Sequence, residues 1–180
     1  MITLIKKSFF NRYLEKHKSS REKKIISLED ARNIGIICQI TDEDSYKEIH
    51  GLFSKLQSHN RSVWLMGYVD KKEVPFYCLQ QLSADFFCKK NLNWYGKPDF
   101  KHLNDFVYKE FDILIDFSRN NLPPIRYILS TSKAKLLVGA NESAQNLYDI
   151  FIHDETILGP QRFLKIIHNY LLKLTGNAPN

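Results

Sequence analysis

Two short runs of this 180-residue sequence hold side chains able to move protons or bind metal. The first is His153-Asp154-Glu155, an imidazole beside two carboxylates, which could supply a general base. The zinc spacing H-E-x-x-H is absent, and His17, His50, His59, His102 and His168 are scattered without ligand spacing, so no metal site is expected. The second run is Phe111-Asp112-Ile113-Leu114-Ile115-Asp116-Phe117-Ser118. On an extended chain Asp112 and Asp116 point to one side but lie about 13 Å apart by strand rise, too far to share one reaction. Asp116, at the end of the run beside Ser118, is the better candidate for contact with a ribose, a metal or a sugar hydroxyl. Asp116, His153 and Asp154 are therefore the candidate catalytic residues. A loop-capping role for Asp116 is at least as strong a reading.

Phosphate chemistry has a weaker signature. Val138-Gly139-Ala140-Asn141-Glu142-Ser143 places glycine and small residues just after an apolar run, where backbone N–H groups could meet a phosphate. It has neither G-x-G-x-x-G nor a P-loop lysine, so no nucleotide cofactor is expected, and a tight turn is the favoured reading. No G-x-S-x-G occurs, which leaves a nucleophile elbow unsupported. Lys89-Lys90-Asn91-Leu92-Asn93-Trp94-Tyr95-Gly96-Lys97 interleaves cations with aromatics, as a surface for single-stranded nucleic acid does. One such stretch does not favour nucleic acid as a partner, and aromatics of this kind more often cover a core edge. Cys38, Cys78 and Cys88 are odd in number and form no C-x-x-C, so reduced thiols are expected.

The elements that would position these residues alternate between strand and helix. Ile34–Ile40 is a nearly continuous apolar run, as in a strand buried on both faces. Asp42 and Asp44 precede a helical stripe of Ile49, Leu52, Phe53 and Leu56. Val63–Val69, 112–117 and 136–138 read as further strands, with Val74–Leu79, Phe86–Cys88 and Tyr148–Ile152 as shorter ones. Asp99 opens a helix carrying Leu103 and Phe106, Pro123-Pro124 opens another, and Pro160 begins a last one that Gly176 ends. This alternation predicts an α/β fold: a Rossmann-like three-layer domain with a mainly parallel sheet. In such sheets ligands bind outside the strand carboxyl ends, which makes Thr41, Asp42, Ser118, Gly139 and Asn141 candidate ligand-binding residues.

Charge divides the chain. Residues 1–24 carry eight basic and two acidic side chains and so hold the whole net charge of +6; the rest balances 18 against 18. Ile2, Ile5, Phe9, Phe10, Tyr13 and Leu14 recur at helical spacing, predicting an amphipathic helix over 2–17 with Lys6, Lys7, Arg12 and Lys16 on its polar side. Residues 1–24 are thus read as a basic helix and linker, and 25–180 as a single α/β domain. The helix is expected to bury Phe9 and Tyr13 against protein, its own or a second copy. A lipid interface is the alternative destination, through the four cations. With no signal-like or spanning segment, the expected location is cytoplasmic, with peripheral membrane contact as a variant.

The run from Phe111 to Ser118, Ser132-Lys133-Ala134-Lys135 with Val138-Gly139, and Asn93-Trp94-Tyr95-Gly96-Lys97-Pro98 resemble a family of short bacterial proteins described only as a domain of unknown function. More distantly, a strand ending in aspartate, a short helix and Ala134-Lys135-Leu136-Leu137-Val138-Gly139 are similar to the N-terminal Rossmann-like half of heptosyltransferase-like glycosyltransferases. That resemblance implies one half of a two-domain enzyme, without its donor-binding partner. The leading expectation is a non-catalytic ligand-binding or interaction domain. The alternatives are a small transferase-like enzyme acting on a nucleotide or sugar phosphate, and a module that docks on an anionic surface through its N-terminal helix.

Overall fold

The computed structural model of the chain describes residues 2–57, 60–78, 82–153 and 159–176, without the side chains of Ile2 and Thr3. Its strands are β1 (Asn33–Ile40), β2 (Ser62–Val69), β3 (Ala84–Cys88), β4 (Ile113–Asp116), β5 (Leu136–Gly139) and β6 (Ile150–Phe151). Its helices are α1 (Ile2–His17), α2 (Glu43–Gln57), α3 (Leu103–Tyr108), α4 (Pro123–Thr131) and α5 (Pro160–Leu174). The apolar runs at 34–40 and 113–116 become β1 and β4, each apolar on both faces. These two are neighbours at the middle of one six-stranded sheet of order β3-β2-β1-β4-β5-β6. Every pairing in it is parallel, including those among the strands read from sequence at 34–40, 63–69, 112–117 and 136–138.

Helices cover both faces and give three layers. On one side Leu52 and Phe53 of α2 and Phe163, Ile167 and Leu171 of α5 meet Ile34, Ile36 and Ile115. On the other, α1, α3 and α4 bring Phe10, Leu14, Phe106 and Ile128 over Ile37, Met66 and Leu114. The chain moves outward from β1 and returns through β4, so the loops after these strands leave toward opposite faces. This is the doubly wound switch point, where open α/β sheets hold their ligands.

Three expectations are corrected. Val74–Cys78 makes no strand: Pro75 has no N–H to pair, and its carbonyl accepts the Cys78 N–H at 3.0 Å in a turn. Leu79, which would have ended that strand, lies outside the described residues. The strand expected at Tyr148–Ile152 shrinks to Ile150–Phe151, because the Tyr148 N–H closes the preceding 3-10 turn on the Gln145 carbonyl at 3.2 Å. The third is the phase of α1. Phe10 and Leu14 are buried, Tyr13 is half-buried, and Phe9 is 47% exposed. The apolar stripe is wider than the contact that α4 offers, so only one edge of it docks.

Residues 18–24 lie on the domain as a bonded strap. Ser19 N–H donates to the Ser130 carbonyl at 2.9 Å and Lys24 N–H to that of Lys135 at 3.2 Å. The Arg21 guanidinium grips Asp149 with two bonds of 2.8 and 2.9 Å, both side chains nearly buried. All three cysteines are free and buried. Burial, with Asp116 nearby, raises the Cys38 thiol far above its usual range, which makes it inert packing. Among the described residues no helix is long and apolar enough to cross a membrane.

Candidate functional site

The carboxyl ends of the strands gather most of the residues singled out by sequence. Asp116, the last residue of β4, is fully buried. Its Oδ1 accepts the Ser118 N–H at 2.8 Å and its Oδ2 accepts the Tyr148 hydroxyl at 2.6 Å. Burial pushes this carboxyl up to about 6, with the Ser118 and Tyr148 bonds opposing the rise. Tyr148 reaches Asp116 by crossing the end of β5 at Gly139, where any Cβ would lie 2.3 Å from the tyrosine ring. Asn141 is buried beside them. Its Oδ1 caps the next turn through the Ser143 N–H at 3.0 Å, and its Nδ2 donates to the Asn120 carbonyl at 2.6 Å. Asn120 in turn donates to Gln39 Oε1 at 2.7 Å, closing the β1/β4 switch point with a side-chain bridge.

Asp116, Ser118, Gly139 and Asn141 thus meet in one network, organised by a tyrosine that the sequence showed only as part of a strand. Thr41 and Asp42 stand apart, at the start of α2. Asp42 Oδ1 accepts the Ser45 N–H at 2.8 Å, and Ser45 Oγ receives the Thr41 and Asp42 N–H groups at 3.0 and 3.1 Å. The Ser45 N–H first, and then the Thr41 hydroxyl at 3.1 Å, hold the Asp42 carboxyl below the usual carboxylate range. His153 follows β6, exposed, 3.6 Å from Glu142, and two strand spacings (about 10 Å) from β4. Asp154 lies outside the described residues. Asp112 marks the opposite end of β4 from Asp116. Although burial acts to raise it, Lys135 at 2.9 Å and the N–H groups of Asn33 and Arg32 hold it low. Among the described residues no cluster of side chains could hold a metal ion.

A second site joins two features that sequence kept separate. The 89–98 segment is a closed loop: Leu92 pairs with Pro98 in an antiparallel bridge, and the Asn93 N–H donates to the Lys97 carbonyl at 2.9 Å. Asn93 Oδ1 accepts the N–H groups of Tyr95 and Lys97, and Gly96 turns the chain at φ +96°, a left-handed value that favours glycine. The turn aims Tyr95 inward onto Tyr13 and leaves Trp94 58% exposed. Phe9 of α1 packs on both rings, 5.3 Å from Trp94 and 5.2 Å from Tyr95. Lys97 sits 5.4 and 5.6 Å from the rings of Tyr13 and Tyr127, pinning the loop to α1 and α4.

Between α1, this loop and the start of α4 lies a cleft of about 530 Å³. Lys6, Lys7, Lys89 and Arg126 line it, and no carboxylate does. Ile5 and Phe9 continue the exposed aromatic surface along α1 at i, i+4 spacing, and Arg12 and Lys16 follow on the same shoulder of the helix. Among the described residues no carboxylate pairs with Lys6, Lys7, Arg12 or Lys16. Arg126 carried no signal in the sequence, since one cation on an amphipathic helix reads as solvated surface.

The fold and these sites define a doubly wound, Rossmann-like α/β domain with a cationic, aromatic-rimmed cleft beside the carboxyl edge of its sheet. The chain belongs to a family of unknown function, DUF6913, whose profile matches residues 4–174. No curated protein and no solved structure matches it significantly, so the likeness to heptosyltransferase-like enzymes finds no support among named relatives.

Proposed function

We propose that this protein is a non-catalytic docking domain that binds an anionic membrane surface through α1 and the aromatic loop. The observation that carries this reading is the exposed apolar set Ile5, Phe9 and Trp94, flanked by Lys6, Lys7, Arg12 and Lys16. An interfacial helix has this composition: apolar side chains entering the headgroup boundary and cations beside them at headgroup level. Each cation near an anionic surface contributes about 1 kcal/mol, so four of them alone bind weakly and the aromatic side chains must insert. The pinned loop presents Trp94 without an ordering cost at the moment of binding.

Transferase chemistry on a nucleotide or sugar phosphate is the less favoured reading. A pyrophosphate at the switch point would rest on the N-terminus of the helix after β1, which is α2. There Asp42, Glu43 and Asp44 supply negative charge, and the Asp42 side chain already takes the Ser45 N–H. Co-sedimentation of the full chain with vesicles tests the docking reading. Binding to phosphatidylglycerol vesicles that weakens with salt, and no binding to phosphatidylcholine vesicles, is the expected result. Equal binding to both, or to neither, contradicts it.

A further inference from the structure

We infer that the cleft between α1 and the aromatic loop is a binding pocket for a phosphate monoester, with Arg126 as its anchoring residue. The inference rests on the docking reading above, because it assigns a specific ligand chemistry to the same face. Arg126 is half-buried at the wall of the cleft, and its Nε is a buried donor with no acceptor among the described residues. Among the described residues its guanidinium makes one long bond, 3.5 Å from Nη1 to Asn11 Oδ1. A buried donor without an acceptor is costly, and the planar fork of the half-buried guanidinium matches the oxygens of a phosphoryl group. Lys6 and Lys7 reach the same cavity from α1, and Lys89, already paired with Asp70 at 3.2 Å, reaches it from the end of β3; no carboxylate lines the cavity itself.

The charge count selects the class of anion. A phosphate monoester carries close to two negative charges at neutral pH and three terminal oxygens. A phosphodiester offers one charge and two such oxygens, and leaves more of the charge of Lys6, Lys7 and Arg126 uncompensated. The remaining walls are Phe10, Leu92, Trp94 and Tyr95, which suit an apolar or ring-bearing group attached to the phosphate. At about 530 Å³ the cleft admits a phosphoryl group together with such a substituent. The shared chemistry has two sources, a monoester headgroup in a lipid surface or a soluble phosphorylated molecule.

Calorimetric titration of the full chain with glycerol 3-phosphate, with glycerol as the control, and vesicle binding with phosphatidic acid against phosphatidylglycerol separate them. The expected result is binding of glycerol 3-phosphate but not glycerol, lost by about tenfold or more in Arg126→Gln. If Arg126→Gln fails to fold, the double variant K6Q/K7Q, on exposed positions, must show the same direction of loss. A preference for phosphatidic acid that vanishes in Arg126→Gln supports the pocket and identifies the lipid source. Soluble binding without vesicle binding supports the pocket, identifies the free source and overturns the docking reading alone. Equal binding to both lipids, unchanged in Arg126→Gln, with no response to glycerol 3-phosphate, overturns the pocket and leaves docking intact.

Discussion

The Tyr148 hydroxyl donates to the buried Asp116 carboxylate at 2.6 Å across the end of β5, through space that exists only because residue 139 is glycine. A Cβ there would stand 2.3 Å from the ring, so Gly139→Ala must displace Tyr148 or bend β5. Overpacking of this kind costs about 1–3 kcal/mol, and the lost bond to a charged group adds to it. Denaturant unfolding of Gly139→Ala is expected to show a loss at or above the top of that range. An unchanged midpoint would mean that the tyrosine is not seated there.

The same carboxylate makes stability depend on pH. Its folded pKa of about 6 lies above the unfolded value of 3.8, so between those two values the folded state binds more protons than the unfolded one. Stability from this group is therefore fully present below about pH 4 and falls as pH rises through 6. A shift of this size corresponds to roughly 3 kcal/mol at most. Asp116→Asn should remove that component, flattening stability between pH 4 and 6. Tyr148→Phe should push the carboxyl higher and steepen the decline. Unfolding curves across that range, with the wild type as reference, check both.

Arg21 ties the N-terminal strap to the sheet. Asp149, which it grips, also accepts the Leu137 N–H at 2.9 Å at the start of β5. Burial acts to raise Asp149, but Arg21, Lys23 and that N–H hold it below the usual carboxylate range. Removing one partner of a buried pair costs about 3–5 kcal/mol when the other charge is left alone, and Lys23, 2.8 Å from Asp149, keeps the cost here toward the lower figure. Arg21→Ala is expected to destabilise by that order and to speed amide exchange at Ser19 and Lys24. Exchange confined to wild-type rates would contradict the strap.

Much of the fold was legible because it follows from patterns of one period. The apolar runs at 34–40 and 113–116 are buried on both faces, and the helical stripes of α2 and α5 face one side, so neither depends on distant partners. The site was less legible, since it is made by contacts between remote segments. Asp116 was visible as a strand-end carboxylate. Its partner Tyr148 lies 32 residues on, and only the β4–β5 register brings them together. Phe9 and Trp94 were each noted, but nothing local says that a helix starting at residue 2 packs on a loop beginning at 89. The wide stripe of α1 also has no internal mark of which edge faces α4, so Phe9 was expected inside and lies outside.

The cations and the aromatic rim contribute separately to docking. Raising ionic strength from 0.1 to 1 M shortens the screening length from about 10 to about 3 Å and should release most bound protein. Phe9→Glu removes an inserting ring and adds a repelling charge, and Lys7→Glu alters charge alone. Both should weaken vesicle binding. Lys7→Glu, at an exposed position, should leave the unfolding midpoint unchanged, while Phe9→Glu also loses the ring contacts with Trp94 and Tyr95 and should lower it slightly without loss of folded structure. A loss of binding that accompanies a loss of folded structure would not support the face.

Trp94 reports most directly on whether that face meets lipid. The chain has two tryptophans, and the other, Trp64, is half-buried, bonded through Nε1 to Asp85 at 2.7 Å and packed on Phe106. Emission that changes on vesicle addition therefore comes from Trp94, and Trp94→Phe confirms the assignment. With phosphatidylglycerol vesicles in excess at low salt, the expected result is a blue shift and protection from an aqueous quencher, both reversed by salt and absent in Trp94→Phe. Unchanged emission and full quenching under those conditions would contradict a membrane-docking face.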